Sequence, residues 1–334
     1  MTHKVTGFGG GHGLYATLRA FNYLKSRSPS EIEITAVVGV SDDGGSSGRL
    51  REAFPIVPPG DLRMALAALC PIEILDTDPQ ALSQVENLLQ YRFGPDSPAG
   101  LSGHAVGNIL LAALWSQGLS PVEGLEALGE ILNSQGRVLP ASVTPTVITA
   151  KVRGFSDTEP DQICEISGQV SVATTRGEVI SVALKPSSPE VCPEVVSAIL
   201  ESDYLVFGPG SWFTSVVPHL LVPGIRQAVS QSPGERVLVV NLAAQTGETS
   251  KFDTIDYLRS WRELAPEIAL DTVIADPVCV IDFDERKLFE QTASELGARV
   301  HWQSVSRNSH YHDPLLLAEV FDKVCSMKRG TTWQ

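Results

Sequence analysis

Two adjacent carboxylates, Asp42 and Asp43, stand at the head of the run Asp-Asp-Gly-Gly-Ser-Ser-Gly-Arg-Leu, directly after an apolar, β-branched stretch. Such a pair can hold a hydrated Mg²⁺, bond a ribose or sugar hydroxyl, or act as a general base. An Asx turn with two solvated acids is the plainer use of the same residues. Gly45, Ser46 and Ser47 follow and can offer N–H and hydroxyl donors to a phosphate. Upstream, Gly9, Gly10, Gly11 and Gly13 put four glycines around His12. That is more glycine than a tight turn needs, and it lets a ligand approach the backbone closely. A helix starts at once, and its first-turn N–H groups and dipole favour an anion. The stretch fits neither familiar fingerprint. Of G-x-G-x-x-G only Gly7 and Gly9 are present, with His12 in the last place, and no Gly-Lys-Ser/Thr ending follows.

Further candidates lie along the chain. After Pro58-Pro59-Gly60, Asp61 reads as a helix N-cap, and Arg63 either packs in the first turn or points at a phosphate. His104 and Asn108 flank a helix start amid glycines and suggest a second anion or substrate site. Gly208-Pro209-Gly210-Ser211 makes a sharp turn after an apolar run, with Ser211, Thr214 and Ser215 as donors to phosphate. It lacks the G-x-S-x-G pattern of a nucleophile elbow. Gln245 and Thr246 fall just after another apolar run.

The elements that must position these residues alternate strand and helix. Residues 5–8 read as a strand, 13–25 as an amphipathic helix and 32–40 as a buried strand, a right-handed βαβ unit. Helices are predicted over 62–69, 79–91, 109–115 and 121–132. From 138 to 190 the chain is rich in Val, Thr, Ile and Ser, and reads as an antiparallel β insertion with strands at 146–152, 168–173 and 177–184. Strand–helix alternation resumes after Cys192, with strands at 203–207, 236–242, 272–275 and 298–302. The fold class is therefore α/β: a Rossmann-like, mostly parallel wound sheet with a capping antiparallel segment, all in one domain over 1–334. Loops at strand C-terminal ends share one crevice in such a sheet. Gly10, Asp42 and Ser211 are accordingly expected to face one pocket.

Composition bounds the partners. The net charge is −14, which argues against nucleic acid or an anionic membrane surface as partner. Five scattered cysteines without a C-x-x-C pair read as free thiols in a reducing cytoplasm. The first strand starts near His3, leaving no room for a signal peptide, and no apolar run reaches the ~18–20 residues of a membrane span.

Taken in order, these motifs resemble the gluconeogenesis factor family, the YvcK-like branch related to 2-phospho-L-lactate transferase (CofD). The likeness rests on Gly9-Gly10-Gly11-x-Gly13-Leu14, the Asp42 to Arg51 block, Pro58-Pro59-Gly60-Asp61-x-Arg63 and His104-x-x-Gly107-Asn108. It continues through Gly208-Pro209-Gly210-Ser211-x-x-Thr214-Ser215 and Asn241-x-x-x-Gln245-x-Gly247-Glu248-Thr249. It covers nearly all of residues 3–325. The resemblance implies a cytoplasmic bacterial homodimer that binds a nucleotide or nucleotide sugar such as UDP-N-acetylglucosamine. It also implies a regulatory role, with a protein partner, linking carbon metabolism to cell shape and cell-wall synthesis. The alternative it carries is a Mg²⁺-dependent phospholactate-type transferase with Asp42 or Asp43 as metal ligand or base. Three departures stand out. His12 replaces a usual Thr, the transferase block Pro-Asp-x-Asp-Thr is absent, and Tyr311-His312-Asp313 replaces Arg-His-Asp with Arg307 the nearest arginine.

Overall fold

The structure, a computed structural model, describes residues 2–27, 32–72, 83–98, 100–156, 159–307 and 311–327. Its strands are β1 (His3–Gly9), β2 (Ile32–Val38), β3 (Arg137–Pro140), β4 (Val147–Arg153), β5 (Ile163–Ser167), β6 (Glu178–Lys185), β7 (Tyr204–Phe207), β8 (Glu235–Val239), β9 (Thr272–Ala275) and β10 (Arg299–Trp302). The α-helices are α1 (Gly11–Arg27), α2 (Gly45–Ala53), α3 (Pro59–Ala68), α4 (Gln84–Gln90), α5 (Val106–Ser116), α6 (Pro121–Ile131), α7 (Gln169–Ala173), α8 (Pro193–Glu201), α9 (Val217–Leu221), α10 (Pro223–Gln231), α11 (Thr254–Leu264), α12 (Phe283–Glu295) and α13 (Pro314–Met327). A π-helical turn, Trp212–Val216, precedes α9.

Seven strands form one parallel sheet in the order β10-β9-β8-β7-β1-β2-β3. The chain runs outward from β1 to β3 and then returns to the other side of β1 at β7. The strand order therefore reverses between β1 and β7, and ligands bind at such a switch point in open α/β sheets. Alternate side chains enter two cores, as a pleated strand requires. Leu205 and Phe207 of β7 face one core, where Phe207 stacks on Phe8 at 4.5 Å. Tyr204 and Val206 face the other, with Leu14, Leu18 and Phe21 of α1 and Phe321 of α13.

The β-rich region divides differently from the expectation over 138–190. Val138 and Leu139 are buried, and β3 pairs in parallel with β2 inside the main sheet. Only β4, β5 and β6 form the separate antiparallel sheet, in the order β5-β4-β6. Its inward residues Ile148, Val152 and Leu184 join the same core as Phe8 and Phe207. The segment 168–173, expected as a strand, is helix α7 instead. Gly168 turns the chain at φ +102°, and Asp43 supplies acceptors for the first two helical N–H groups. The Gly/Ser tract after Asp43 is likewise ordered, as α2. Of the helix expected over 79–91, residues 79–82 lie outside the described residues, and α4 covers Gln84–Gln90.

Candidate functional site

Three loops meet at the β1–β7 switch point, and backbone contacts lock them together. Gly39 N–H donates to the Gly9 carbonyl at 3.0 Å, and Gly208 N–H donates to the Phe8 carbonyl at 3.3 Å. Thr17 Oγ1 on α1 donates to the Gly208 carbonyl at 2.9 Å. Gly13 packs directly on the third loop, where a Cβ would lie 2.0 Å from the Pro209 carbonyl oxygen. Asn241, at the end of β8, holds Gly210 by two bonds: Oδ1 accepts its N–H at 3.0 Å and Nδ2 donates to its carbonyl at 2.8 Å. Gln245 Nε2 reaches Ser211 Oγ at 3.4 Å, and Thr246 is exposed beside it.

The carboxylate nearest the first glycine loop is Asp61. Pro58 is the N-cap of α3 and Pro59 its first residue, so Asp61 sits in the first turn and does not cap the helix. The proline pair fixes the helix start and frees the Asp61 side chain to reach α1. A Cβ on Gly10 would lie 2.3 Å from Asp61 Oδ2 and 3.6 Å from Ser215 Oγ. The same test on Gly60 finds Asp42 Oδ2 at 2.5 Å and Ser47 Oγ at 2.4 Å. Gly10, Asp61, Asp42, Ser47 and Ser215 therefore cluster where a switch-point crevice is expected, and glycines at 10 and 60 allow the close approach. Desolvation, reinforced by the charge of Asp42, pushes the Asp61 carboxyl up to about 7, although it accepts the Gly11 N–H. Asp42 Oδ1 also accepts Gly44 N–H at 2.9 Å, an Asx turn that aims the side chain.

Asp43 faces the other way. Its two oxygens accept Gln169 N–H at 2.9 Å and Val170 N–H at 3.0 Å, so it is the N-terminal acceptor of α7. Ser46 turns toward α5, where its Oγ meets His104 Nδ1 at 2.9 Å and accepts from Asn108 Nδ2 at 3.0 Å. Desolvation, with Arg49 and Arg92 adding to it, lowers the His104 pKa. Arg63 is buried against Gly107 and donates to Gln90. Desolvation lowers its pKa to about 10. His12 is exposed at the start of α1, with its ring 6.4 Å from that of Tyr311. Gly45, at φ +45°, opens α2 with nothing within 4 Å of where a Cβ would stand.

Glu248 was named in the sequence only as part of a motif. It is buried, and Oε1 accepts Phe213 N–H at 3.1 Å at the start of the π-helical turn, with Thr214 also bonded to the carboxylate. Desolvation pushes it up to about 7. Near the C-terminus, Arg307 Nε pairs with Asp313 Oδ2 at 2.8 Å, and Asp313 caps α13. His312 Nε2 lies 3.2 Å from the Val240 carbonyl. Among the described residues no group of three or more His, Cys, Asp or Glu side chains could hold a metal.

The family model described as 2-phospho-L-lactate transferase CofD matches residues 5–302. The chain belongs to the CofD family. A gluconeogenesis factor of Bacillus subtilis (strain 168) is 33% identical over 290 residues, covering 87% of this chain and 84% of its own length. A relative from Mycobacterium tuberculosis, also named for gluconeogenesis, is 43% identical over 333 residues, covering 99% of this chain and 93% of its own. The crystal structure of a UPF0052-family protein from Bacillus halodurans superimposes with a TM-score of 0.79 at 32% identity, covering 96% of this chain and 98% of that one. No helix among the described residues is long and apolar enough to cross a membrane.

Proposed function

We propose that the crevice binds a nucleotide sugar of the UDP-N-acetylglucosamine type and that the protein is a ligand-responsive regulator. Its role would be in cell shape and cell-wall homeostasis during growth on gluconeogenic carbon. The observation that carries this reading is the contact of the two glycine loops, Gly13 against Pro209 and Gly210, at the sheet's switch point. Helices α1 and α2 start beside this point, and diphosphates are held by the first-turn N–H groups of helices. The gluconeogenesis names of the relatives support the regulatory half. We place the protein in the cytoplasm as a homodimer, where its five free cysteines stay reduced.

The Asp42–Asp61 pair favours a second reading, a phospholactate-type transferase. Mg²⁺ is commonly held by one or two carboxylates together with substrate phosphates. The pair fits that ion, because a cation would offset the Asp42 charge that adds to desolvation in raising the Asp61 pKa. Bound there, Mg²⁺ would neutralise phosphate charge. A carboxyl titrating near 7 is also suited to general-base work. Calorimetry with UDP-N-acetylglucosamine, with and without Mg²⁺, followed by a product search, separates the readings. Binding without turnover supports the regulator. A transferred group in the product pool replaces it with the enzyme.

A further inference from the structure

We propose that α7 transmits the occupancy of the crevice to the three-stranded sheet, with Asp43, Thr214 and Glu248 as its three couplings. The inference rests on the crevice being a nucleotide-sugar site. It concerns how that site would signal.

Three of the four crevice loops grip α7. From the β2 loop, Asp43 accepts both leading N–H groups of α7, and Gly44 lies against Val170, where a Cβ would be 3.1 Å from Cγ2. From the β7 loop, the Thr214 carbonyl accepts Gln169 Nε2 at 3.3 Å. From the β8 loop, Glu248 N–H donates to the Ala173 carbonyl at 3.3 Å, and Gly247 sits so close that a Cβ would be 2.0 Å from that oxygen.

Each grip is one bond from the site. Asp42 faces the crevice and Asp43, the next residue, faces α7. Glu248 joins α7 through its main chain and the start of the Ser211 turn through its side chain. The β2 loop also holds the entrance to β4. Ser41 Oγ meets Thr146 Oγ1 at 2.6 Å, and Arg51 bonds both the Asp42 carbonyl, at 3.1 Å, and the Thr146 carbonyl, at 3.4 Å. A ligand that shifts the peptide between Asp42 and Asp43 therefore moves both attachments of the sheet together. On the other side, Gly168 N–H donates to the Ile148 carbonyl at 2.8 Å, so α7 is continuous with β4 and β5.

Apolar burial of Ile148, Val152 and Leu184 keeps the sheet attached whatever α7 does. The polar grips therefore set position more than attachment. Coupling of this kind is reciprocal: the factor by which ligand stabilises α7 must equal the factor by which intact α7 contacts strengthen ligand binding.

The test is hydrogen exchange on the full chain with UDP-N-acetylglucosamine, read beside calorimetry. Ligand is expected to slow exchange of amides in 163–173 by about five- to tenfold, within the usual range of coupling between sites. Gly168→Ala pushes a Cβ to 2.4 Å from Asp43 Oδ2, and Gln169→Ala removes the Thr214 contact more gently. Both should reduce that protection, Gly168→Ala the more, and each should weaken ligand binding by the same factor as the protection it loses. Glu165→Ala, which cuts only the exposed ion pair to Lys185 on the same sheet, should change neither. Binding without protection of 163–173 overturns the inference alone. Protection that persists in both α7 variants also overturns it. Absence of any binding to the wild type removes the nucleotide-sugar reading and this inference with it.

Discussion

Asp61 carries the largest electrostatic tension in the crevice. Its pKa of about 7 stands above the ordinary carboxylate value because burial and Asp42 both oppose its charge. A folded pKa above the unfolded one means that the native state gains protons, and stability, as pH falls from 7 toward 4. Asp61→Asn should therefore stabilise the protein at pH 8 by about 1–3 kcal/mol, discounted from the full shift because the group is partly solvated. The gain should shrink as pH is lowered through 7 toward 4. Urea denaturation at pH 8 and pH 5 measures this, and an equal gain at both values would contradict it. Sequence alone placed Asp61 as a cap. The proline pair before it was the available signal, since proline prefers the first helical position and pushes Asp61 into the turn.

Helix α1 and helix α4 show how elements hold the site. Gly13 lies in the first turn of α1, where the Pro209 carbonyl leaves no room for a side chain. Gly13→Ala should cost at least about 2 kcal/mol of stability and abolish calorimetric binding of UDP-N-acetylglucosamine, because backbone on both sides must move. Retained affinity would show that the two loops are not jointly required. Below the crevice, Glu86 of α4 is fully buried, pairing with Arg19 at 3.2 Å and accepting from Tyr15, both on α1. Glu86→Ala leaves a buried guanidinium without its carboxylate, and a loss of about 3–5 kcal/mol in urea denaturation is expected. Glu86→Gln, which keeps an acceptor for Tyr15, should lose less. The same α4 carries Gln90 to Arg63, so the variant should also weaken ligand binding.

At the scale of the whole molecule, opposing buried groups shape the pH response. Asp61 and Glu248, both raised to about 7, add stability as pH falls below about 7.5. Burial lowers His219 and His312 to about 4, so their contribution is present above 6.5 and is lost as pH falls from there to 4. The two pairs oppose each other below 6.5. Thermal stability should rise from pH 8 to about 6.5 and then level off until about pH 4. A steady fall from pH 8 to 6.5 in a melting series would refute that balance. The cysteines are free, and a reductant should leave the melting temperature unchanged.

The alternation of β-branched runs with amphipathic helices determined by itself the wound α/β sheet, because hydrophobic periodicity is a local property of the chain. The glycine loops, the Asp42 block and the Ser211 turn were equally readable, since strand ends in a parallel sheet open on one crevice. Tertiary structure decided the rest. Asp43 and Asp42 look equivalent in the sequence, and only the folded β2 loop turns one to the crevice and the other to α7. Residues 168–173 have the composition of a strand and became a helix, because two backbone N–H groups found the Asp43 carboxylate, 126 and 127 positions earlier in the chain. The pKa values of Asp61 and Glu248 arise from desolvation by distant segments. Burial and long-range hydrogen bonding depend on what the rest of the chain brings near, and no local pattern encodes that.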